Sequence, residues 1–341
     1  MSTLKAINLQ HPSATNPAIV LATDGSAAGN FSSSNGGPLA GFRNRIINGN
    51  FDIWQRGTSF SNPVDNTYTA DRWVVVYNGS GATRTITQKA FVVGSTEAAP
   101  GAALYLEFAQ TVAGSGGTFN VLQQRIEDVR TFGGQTVTVS FYARGASAAL
   151  TLPNITLSQA FGSGGSATVF NTVAASVVIA GTNFAKYTYT VTLPSISGKT
   201  IGTGSHLALE FALPINATFN FHVASVQLEP GPVATPFEQR PIGTELALCQ
   251  RYYATTRSSV RFYNAAGSPV VNANHSYFPA TMRTTPNVTM TATVSERLNV
   301  NASWPLATNI SVVGFTATIV STGGTQECYD NNRIWTASAE L

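Results

Sequence analysis

The sequence predicts an all-β protein, in which an extended N-terminal segment precedes an antiparallel sandwich and a smaller C-terminal β-domain. Three observations predict this fold. Short runs of β-branched and aromatic residues recur along the chain, Gly, Pro or Asn bounds each run, and no apolar pattern with a 3.6-residue period is sustained. Apolar residues make up 43% of the 341 residues, which is enough for a packed core.

Residues 1–43 are predicted to form an extended tail and linker. Residues 7–10 and 18–21 have the character of short strands, and a run rich in Gly, Ser and Asn follows at 24–41. Because such a tail buries no core of its own, it is either disordered or folded against a partner or its own copies.

Residues 44–241 are predicted to form the sandwich. Strands are expected at 74–77, 104–108, 137–142, 188–193, 207–211 and 219–223. Residues 188–193 alternate polar and apolar side chains, as a half-buried strand does. The best helix candidate in this region is 122–129, at one or two turns. The Pro-rich stretch 230–241 lacks a strand pattern and marks the exit from the sandwich.

Residues 242–341 are predicted to form the smaller β-domain. Residues 244–248 predict a short helix with Thr244 near its N-terminal cap. Strand patterns then resume at 260–263, 288–294 and 314–320.

Composition excludes several partners. Charged residues are only 10% of the chain, so Ser, Thr, Asn, Gln and Gly must cover the surface, which suits sugar or protein contacts. The net charge is +3 with no basic stripe, so nucleic-acid binding is not expected. No run approaches the roughly 18 apolar residues of a membrane span. The N-terminus lacks a signal peptide, which predicts assembly in the cytoplasm.

Neither catalysis nor a cofactor is expected. No acid pair has a recognisable acid/base signature, and no Ser lies in a nucleophile elbow. The four His have no zinc-ligand spacing. A structural calcium ion is the one metal left open, since Asp52 and Glu229 can meet at one edge of the sandwich. The alternative is that both are exposed edge acids. Cys249 and Cys328 are expected as buried free thiols, with a disulfide as the alternative.

Aromatic side chains are the remaining candidates for ligand contact. The chain has 11 Tyr, 19 Phe and 4 Trp, more than binding could use, so most are expected in the core, with Trp54, Trp73 and Trp335 among them. Trp304 precedes a proline in a polar loop and is the better candidate for exposure. An exposed ring beside polar side chains can stack on a sugar. The candidate ligand-binding residues are Trp304, Asn301 and Tyr263.

Several strings of the sequence carry a family resemblance. They are RIINGNFDIWQRG at 45–57, TYTADRW at 67–73, VASVQLEPGPVATPFEQRPIGTELALCQRYY at 223–253, FPATMRTTPNVTMTA at 278–292, VVGFTATI at 312–319 and WTASAEL at 335–341. Over about residues 45–341 the chain resembles tail-fibre and related virion structural proteins of tailed bacteriophages and prophages. The stretch 7–25 also resembles the start of such fibre proteins.

The resemblance implies a jelly-roll sandwich similar to carbohydrate-binding modules, opened by NGNFDIWQRG and closed by the VQLEPG strand. It also implies a homotrimer located in the virion, with the C-terminal domain as the outward tip. The N-terminal tail would then contact other virion proteins, and the residues expected to do so are Ile7, Leu9, Ile19 and Leu21. In the related sugar-binding modules, acids at positions like Asp52 and Glu229 hold calcium.

The function implied is that of a non-enzymatic bacteriophage fibre protein, which attaches to the host surface through glycan or surface-protein contacts. One alternative is a purely structural head, collar or baseplate decoration without receptor binding. A second is a polysaccharide-degrading fibre. The latter often contains a long parallel β-helix, and the sequence has no internal repeat of that kind.

Overall fold

The computed structural model confirms the all-β class. It describes residues 8–9, 19–21, 27–29, 42–92, 94, 99, 101–146, 148–265, 269–291, 297–300, 306–322 and 326–341. Every strand pair among these residues is antiparallel. Near the N-terminus, a three-stranded sheet comprises β1 (Asn8–Leu9), β2 (Ile19–Leu21) and β3 (Ala27–Gly29).

Twelve strands form a sandwich of two six-stranded sheets. The first sheet has the order β13 (Ala185–Thr192), β10 (Thr136–Arg144), β15 (Phe219–Pro230), β8 (Leu104–Val112), β7 (Thr83–Ala90) and β4 (Ser59–Ser61). The second has the order β12 (Val169–Ile179), β11 (Leu150–Ala160), β14 (His206–Ala212), β9 (Asn120–Glu127), β6 (Trp73–Tyr77) and β5 (Thr67–Tyr68). Crossovers between the sheets give the jelly-roll arrangement.

Aromatic rings join the two sheets at the centre of the sandwich. The ring of Phe211 lies 6.3 Å from Trp73, 5.0 Å from Phe141 and 5.8 Å from Phe221, measured between centroids. All four side chains are fully buried. Burial of each such side chain stabilises the fold by about 1.5–3 kcal/mol, so this cluster is a main source of the sandwich's stability.

The C-terminal region begins with α1 (Ile242–Gln250), the one α-helix among the described residues. One sheet contains β16 (Tyr253–Asn264), β22 (Gln326–Ser338) and β18 (Asn287–Thr291), and β19 (Arg297–Leu298) also pairs with β22. The other contains β17 (Val271–Tyr277), β21 (Gly314–Val320) and β20 (Leu306–Thr308). A separate core forms here, in which Trp335 lies 5.5 Å from Phe278 and 5.3 Å from Phe315.

Most strands predicted from the sequence are present, several with extended bounds, although the strand predicted at 188–193 ends at Thr192 and the one predicted at 288–294 is described only as far as Thr291. The helix predicted at 122–129 is wrong. Residues 120–127 form β9, which pairs with β14 on one side and β6 on the other. Leu, Gln, Arg and Glu favour helices in isolation, and pairing on both sides overrides that preference. The short helix at 244–248 is confirmed within α1, which begins two residues earlier: Pro241 is its N-cap, Thr244 lies in its first turn, and no side chain caps it.

Several predictions about buried groups are confirmed. Cys249 and Cys328 are both free and buried. Trp73 and Trp335 are buried, and Trp54 packs against the sandwich core while partly exposed. Trp304 lies outside the described residues. In the part of the chain that the structure describes, no helix combines the length and apolar character that a membrane crossing requires.

Candidate functional site

An open cleft of about 540 Å³ lies where the sandwich meets α1 and the start of the C-terminal sheet. The residues that line it are Phe42, Asn44, Arg45, Ile47, Gln124, Arg125, Ile126, Glu127, Arg130, Thr131, Phe132, Gln135, Pro230, Arg240, Leu248 and Tyr252. Concave sites of this size, with a mixed polar and apolar lining, are where proteins usually bind small ligands and saccharides.

One side of the cleft is a free edge of β9. The neighbouring strand β6 pairs with residues 120–124 of β9 and ends there, so no strand among the described residues pairs with 125–127 on that side, although the Arg72 guanidinium donates to the Arg125 carbonyl oxygen. Where this pairing ends, the Gln124 side chain bonds the backbone of Ile47. Its Nε2 donates to the Ile47 carbonyl oxygen at 2.7 Å, and its Oε1 accepts from the Ile47 N–H at 2.7 Å. This pair of bonds fixes residues 42–47 as a wall of the cleft.

Further bonds hold the same wall in place. The Arg45 N–H donates at 2.9 Å to the carbonyl oxygen of Leu228, which lies in β15 of the first sheet. Arg240 is buried, donates to the Ile46 carbonyl oxygen at 3.1 Å, and pairs with both carboxylate oxygens of Glu245 at 3.1 and 2.9 Å. The backbone on both sides of Arg45 is thus fixed, while its side chain is exposed.

The loop 128–135 forms a second wall. The Thr131 hydroxyl donates to the Glu127 carbonyl oxygen at 3.1 Å, and the Arg130 N–H donates to an Asp128 carboxylate oxygen at 2.8 Å. Phe132 is only 6% exposed and packs into the sandwich core, which anchors the loop. The loop therefore presents Arg130 and its neighbours from a defined backbone.

The carboxylate that lines the cleft, that of Glu127, is bound by other side chains of the protein. Arg251 contacts both carboxylate oxygens of Glu127 at 3.0–3.2 Å, and the Tyr252 hydroxyl donates to one of them at 3.1 Å. Burial raises the pKa of Tyr252, which keeps that hydroxyl protonated and able to donate. Both carboxylate oxygens of Glu127 therefore already have hydrogen-bond partners within the protein.

The arginine side chains that line the cleft are less completely paired with carboxylates. Four arginines and one glutamate line it. The Arg45 guanidinium lies 5.9 Å from the centroid of the Phe132 ring. Arg130 pairs with Asp128 at 3.1 Å, where both side chains are largely exposed, and Arg125 donates to Asn66 Oδ1 at 2.9 Å. The cleft therefore offers hydrogen-bond donors to a ligand rich in oxygen.

The calcium predicted between Asp52 and Glu229 does not fit these residues. Glu229 is fully buried and accepts from Thr235 Oγ1 at 2.7 Å, from Gln227 Nε2 at 2.7 Å and from Arg43 Nε at 3.3 Å. These partners are hydrogen-bond donors and a cation, which would repel a metal ion. Among the described residues, no group of three His, Cys, Asp or Glu has the geometry of a metal site.

Asp52 lies apart from that network, in a smaller cavity of about 90 Å³ that it shares with Glu238 and Glu245. Burial raises the pKa of Asp52, an Asn50 side-chain bond opposes this, and the charge of Glu245 adds to it. The expectation that Asp52 and Glu229 are both exposed edge acids is also wrong for Glu229, since its carboxylate is fully buried.

The other residues predicted for ligand contact are not brought to the cleft. Tyr263 is 64% exposed in β16, and Trp304 and Asn301 lie outside the described residues. For virion attachment, Leu9 lies in β1 and Ile19 and Leu21 lie in β2, whereas Ile7 is outside the described residues. No motif in the sequence predicts the cleft. The one sequence feature that could have indicated the cleft is the pair of arginines in each of the segments 43–45 and 125–130. These arginines indicate a site only once the fold brings the two segments together.

Comparison with known proteins finds solved structures whose fold is similar to that of this chain. No family model matches the chain, and no curated protein matches it. Solved structures that are similar include the tailspike protein 4 enzymatically active domain of bacteriophage CBA120, at 15% identity and a TM-score of 0.33 over 55% of this chain. The matched part spans 21% of the tailspike chain.

Two other solved structures are similar over nearly their full length. A family 11 carbohydrate-binding module from Clostridium thermocellum, in complex with a mixed-linked tetrasaccharide, matches 52% of this chain and 98% of its own at 13% identity and a TM-score of 0.31. A cyclase from Fischerella sp. TAU matches 56% of this chain and 98% of its own at 14% identity and a TM-score of 0.37. The similarity is confined to the fold, and the function must be argued from the site.

Proposed function

We propose that this protein is a bacteriophage fibre protein that attaches to the host cell surface by binding a glycan in the cleft. The observation that supports the proposal is the cleft itself, whose walls are fixed by hydrogen bonds and whose exposed side chains are Arg45, Arg130, Gln135 and Phe42. Saccharide sites combine donors for hydroxyl groups with a ring face for stacking. Phe42 is 46% exposed and offers such a face.

The proposal includes assembly and location. The protein would be a homotrimer in the virion, with the N-terminal tail that precedes Phe42 bound to other virion proteins and the C-terminal domain pointing outward. Three copies of a weak glycan site would raise the overall affinity through avidity. The proposed role is non-enzymatic, and the binding of Glu127 by Arg251 and Tyr252 is consistent with a site that holds a glycan without cleaving it.

The proposal is tested with purified full-length protein on host cells, with the mass determined in the same preparation. A trimer that binds cells and competes with phage adsorption is the expected result. Arg45→Gln should weaken binding, and Arg257→Gln, at an exposed position in β16 away from the cleft, should not. A trimer that does not bind host cells would indicate a structural decoration protein. Release of reducing ends from surface polysaccharide would contradict the non-enzymatic role.

A further inference from the structure

The charges in the cleft divide into two groups. Glu127 and Arg240 are paired within the protein, Glu127 with Arg251 and Arg240 with Glu245. These pairs fix the walls and carry no net charge. The charge available to a ligand therefore comes from the arginines that face the opening, chiefly Arg45 and Arg130.

The Arg45 side chain is positioned to bind an anionic group of a ligand. Its main chain is held by the bond to Leu228, and its guanidinium carbon lies 5.9 Å from the centroid of the Phe132 ring. Among the described residues, no carboxylate lies within ion-pair distance of Arg45. A guanidinium that faces an aromatic ring at this distance keeps its planar fork of donors free, and that fork matches a carboxylate or phosphate group.

Arg130 stands on the adjacent wall, in the same loop as Phe132. Its contact with Asp128 joins two side chains that are 62% and 42% exposed. An exposed pair of this kind contributes little to stability, so Arg130 can exchange Asp128 for a ligand anion at little cost. Arg45 and Arg130 thus present two cationic forks on neighbouring walls of one cleft.

The remaining exposed lining is suited to a sugar rather than to a bare ion. Gln135 is exposed in the same lining, the partly exposed Thr131 adds a hydroxyl oxygen that can accept, and Phe42 adds a half-exposed ring. We infer that the ligand is an acidic saccharide, whose carboxylate or phosphate group is bound by Arg45 and Arg130. This inference rests on the proposed glycan binding and specifies its chemistry.

The test measures binding by calorimetry to three probes. They are tetragalacturonate, its carboxyl-reduced neutral counterpart, and mannose 6-phosphate as the phosphate-bearing saccharide. We expect binding of at least one acidic probe and none of the neutral tetramer. Arg45→Gln and Arg130→Gln should each lower the affinity about tenfold, the typical contribution of a charge-assisted hydrogen bond. Arg257→Gln should leave it unchanged.

The outcomes separate this inference from the proposed function. Equal binding of acidic and neutral tetramers, or unchanged affinity in both cleft variants, would overturn the acidic-saccharide assignment while leaving glycan binding intact. Binding to host cells without binding to either acidic probe would overturn it as well. Failure to bind cells and every saccharide would refute the proposed function. Unfolding temperatures of the variants, expected to match the parent because both positions are exposed, exclude a folding defect.

Discussion

Gly49 lies at the turn through which the chain enters the sandwich, directly against the backbone of Val226. Asn48, the preceding residue, has a φ of 55°, and its side chain bonds both the N–H and the carbonyl oxygen of Ile53, at 3.0 and 2.8 Å. The Val226 N–H donates to the Gly49 carbonyl oxygen at 2.9 Å. The Asn-Gly pair thus joins the start of the sandwich to its last strand.

Gly49→Ala should destabilise the protein by about 1–3 kcal/mol, as overpacking of a close contact does. A Cβ at this position would lie 2.2 Å from the Val226 carbonyl oxygen, so the backbone would have to move. Denaturant unfolding measures the change. Gly243→Ala in α1 is the matched control, because nothing lies within 4 Å of its Cβ position, and it should leave stability unchanged or raise it slightly. Equal effects of the two variants would contradict the packing argument.

His222 is a buried residue whose charge is unfavourable in the folded state. Arg144 Nε–H donates to His222 Nδ1 at 3.0 Å, which requires that nitrogen to be unprotonated, and Nε2 lies 2.9 Å from Oε2 of Glu107. Burial lowers the pKa of His222 from 6.5 to about 4; the Glu107 carboxylate opposes this, and Arg144 adds to it. Neutral His222 is therefore part of the folded structure at pH 7.

The free energy of unfolding should fall as the pH drops from about 6.5 to about 4. In this window the unfolded chain takes up a proton at His222 and the folded chain does not, so protons favour unfolding. The contribution is about 3 kcal/mol over the window. Urea unfolding at several pH values should show a shallower pH slope for His222→Gln, and the parent slope for His275→Gln, at an exposed histidine. Parallel slopes for parent and His222→Gln would refute the assignment.

Among the elements of secondary structure, β9 defines the candidate site. Strand pairing ends at Gln124 on one side, and the Gln124 amide takes over the backbone bonds of Ile47 that a strand would otherwise make. The free edge that remains opens into the cleft. A strand at this place, and not the predicted helix, is thus what creates the concave surface.

Gln124→Ala should loosen the wall formed by residues 42–47. Loss of both bonds leaves the Ile47 N–H and carbonyl oxygen without these partners, at a cost of about 1–3 kcal/mol. Hydrogen exchange should show faster exchange of the Ile47 amide, with slower or unchanged exchange excluding the proposed role. Gln135→Ala is the control, since Gln135 is exposed and its side chain makes no hydrogen bond among the described residues.

Over the whole molecule, buried charges join the sandwich to the C-terminal region. Glu340 pairs with Arg56 at 3.0 Å and with Arg72, and all three side chains are largely buried. The Arg72 guanidinium also lies 3.4 Å from the Tyr252 ring centroid. Asp71 and Arg72, adjacent in sequence, do not pair with each other; Asp71 instead pairs with Arg56 at 3.6 Å. The ion pairs therefore connect regions far apart in the chain.

Glu340→Gln should destabilise the attachment of the C-terminal sheets by about 3–5 kcal/mol, because it leaves the buried Arg72 without its anion, whereas Arg56 keeps Asp71. Hydrogen exchange of β16 and β22 is the direct measurement, with denaturant unfolding beside it. Glu327→Gln breaks an exposed pair with Arg261 and should change stability by no more than about 1 kcal/mol. If both variants behave alike, the buried junction does not hold the C-terminal region.

The sequence by itself determined the all-β class, most strands, the buried Trp73 and Trp335, and the free thiols. These properties follow from local alternation, turn residues and apolar content, which act within a few positions of the chain. The tertiary structure alone decided that β9 is a strand, that Glu229 is bound by donors, and that Arg45 and Arg130 share a cleft. Each depends on contacts between distant segments, such as Ile47 with Gln124, 77 positions apart, and Arg72 with Glu340, 268 positions apart. No local pattern encodes such contacts, because only the packed fold brings the partners together.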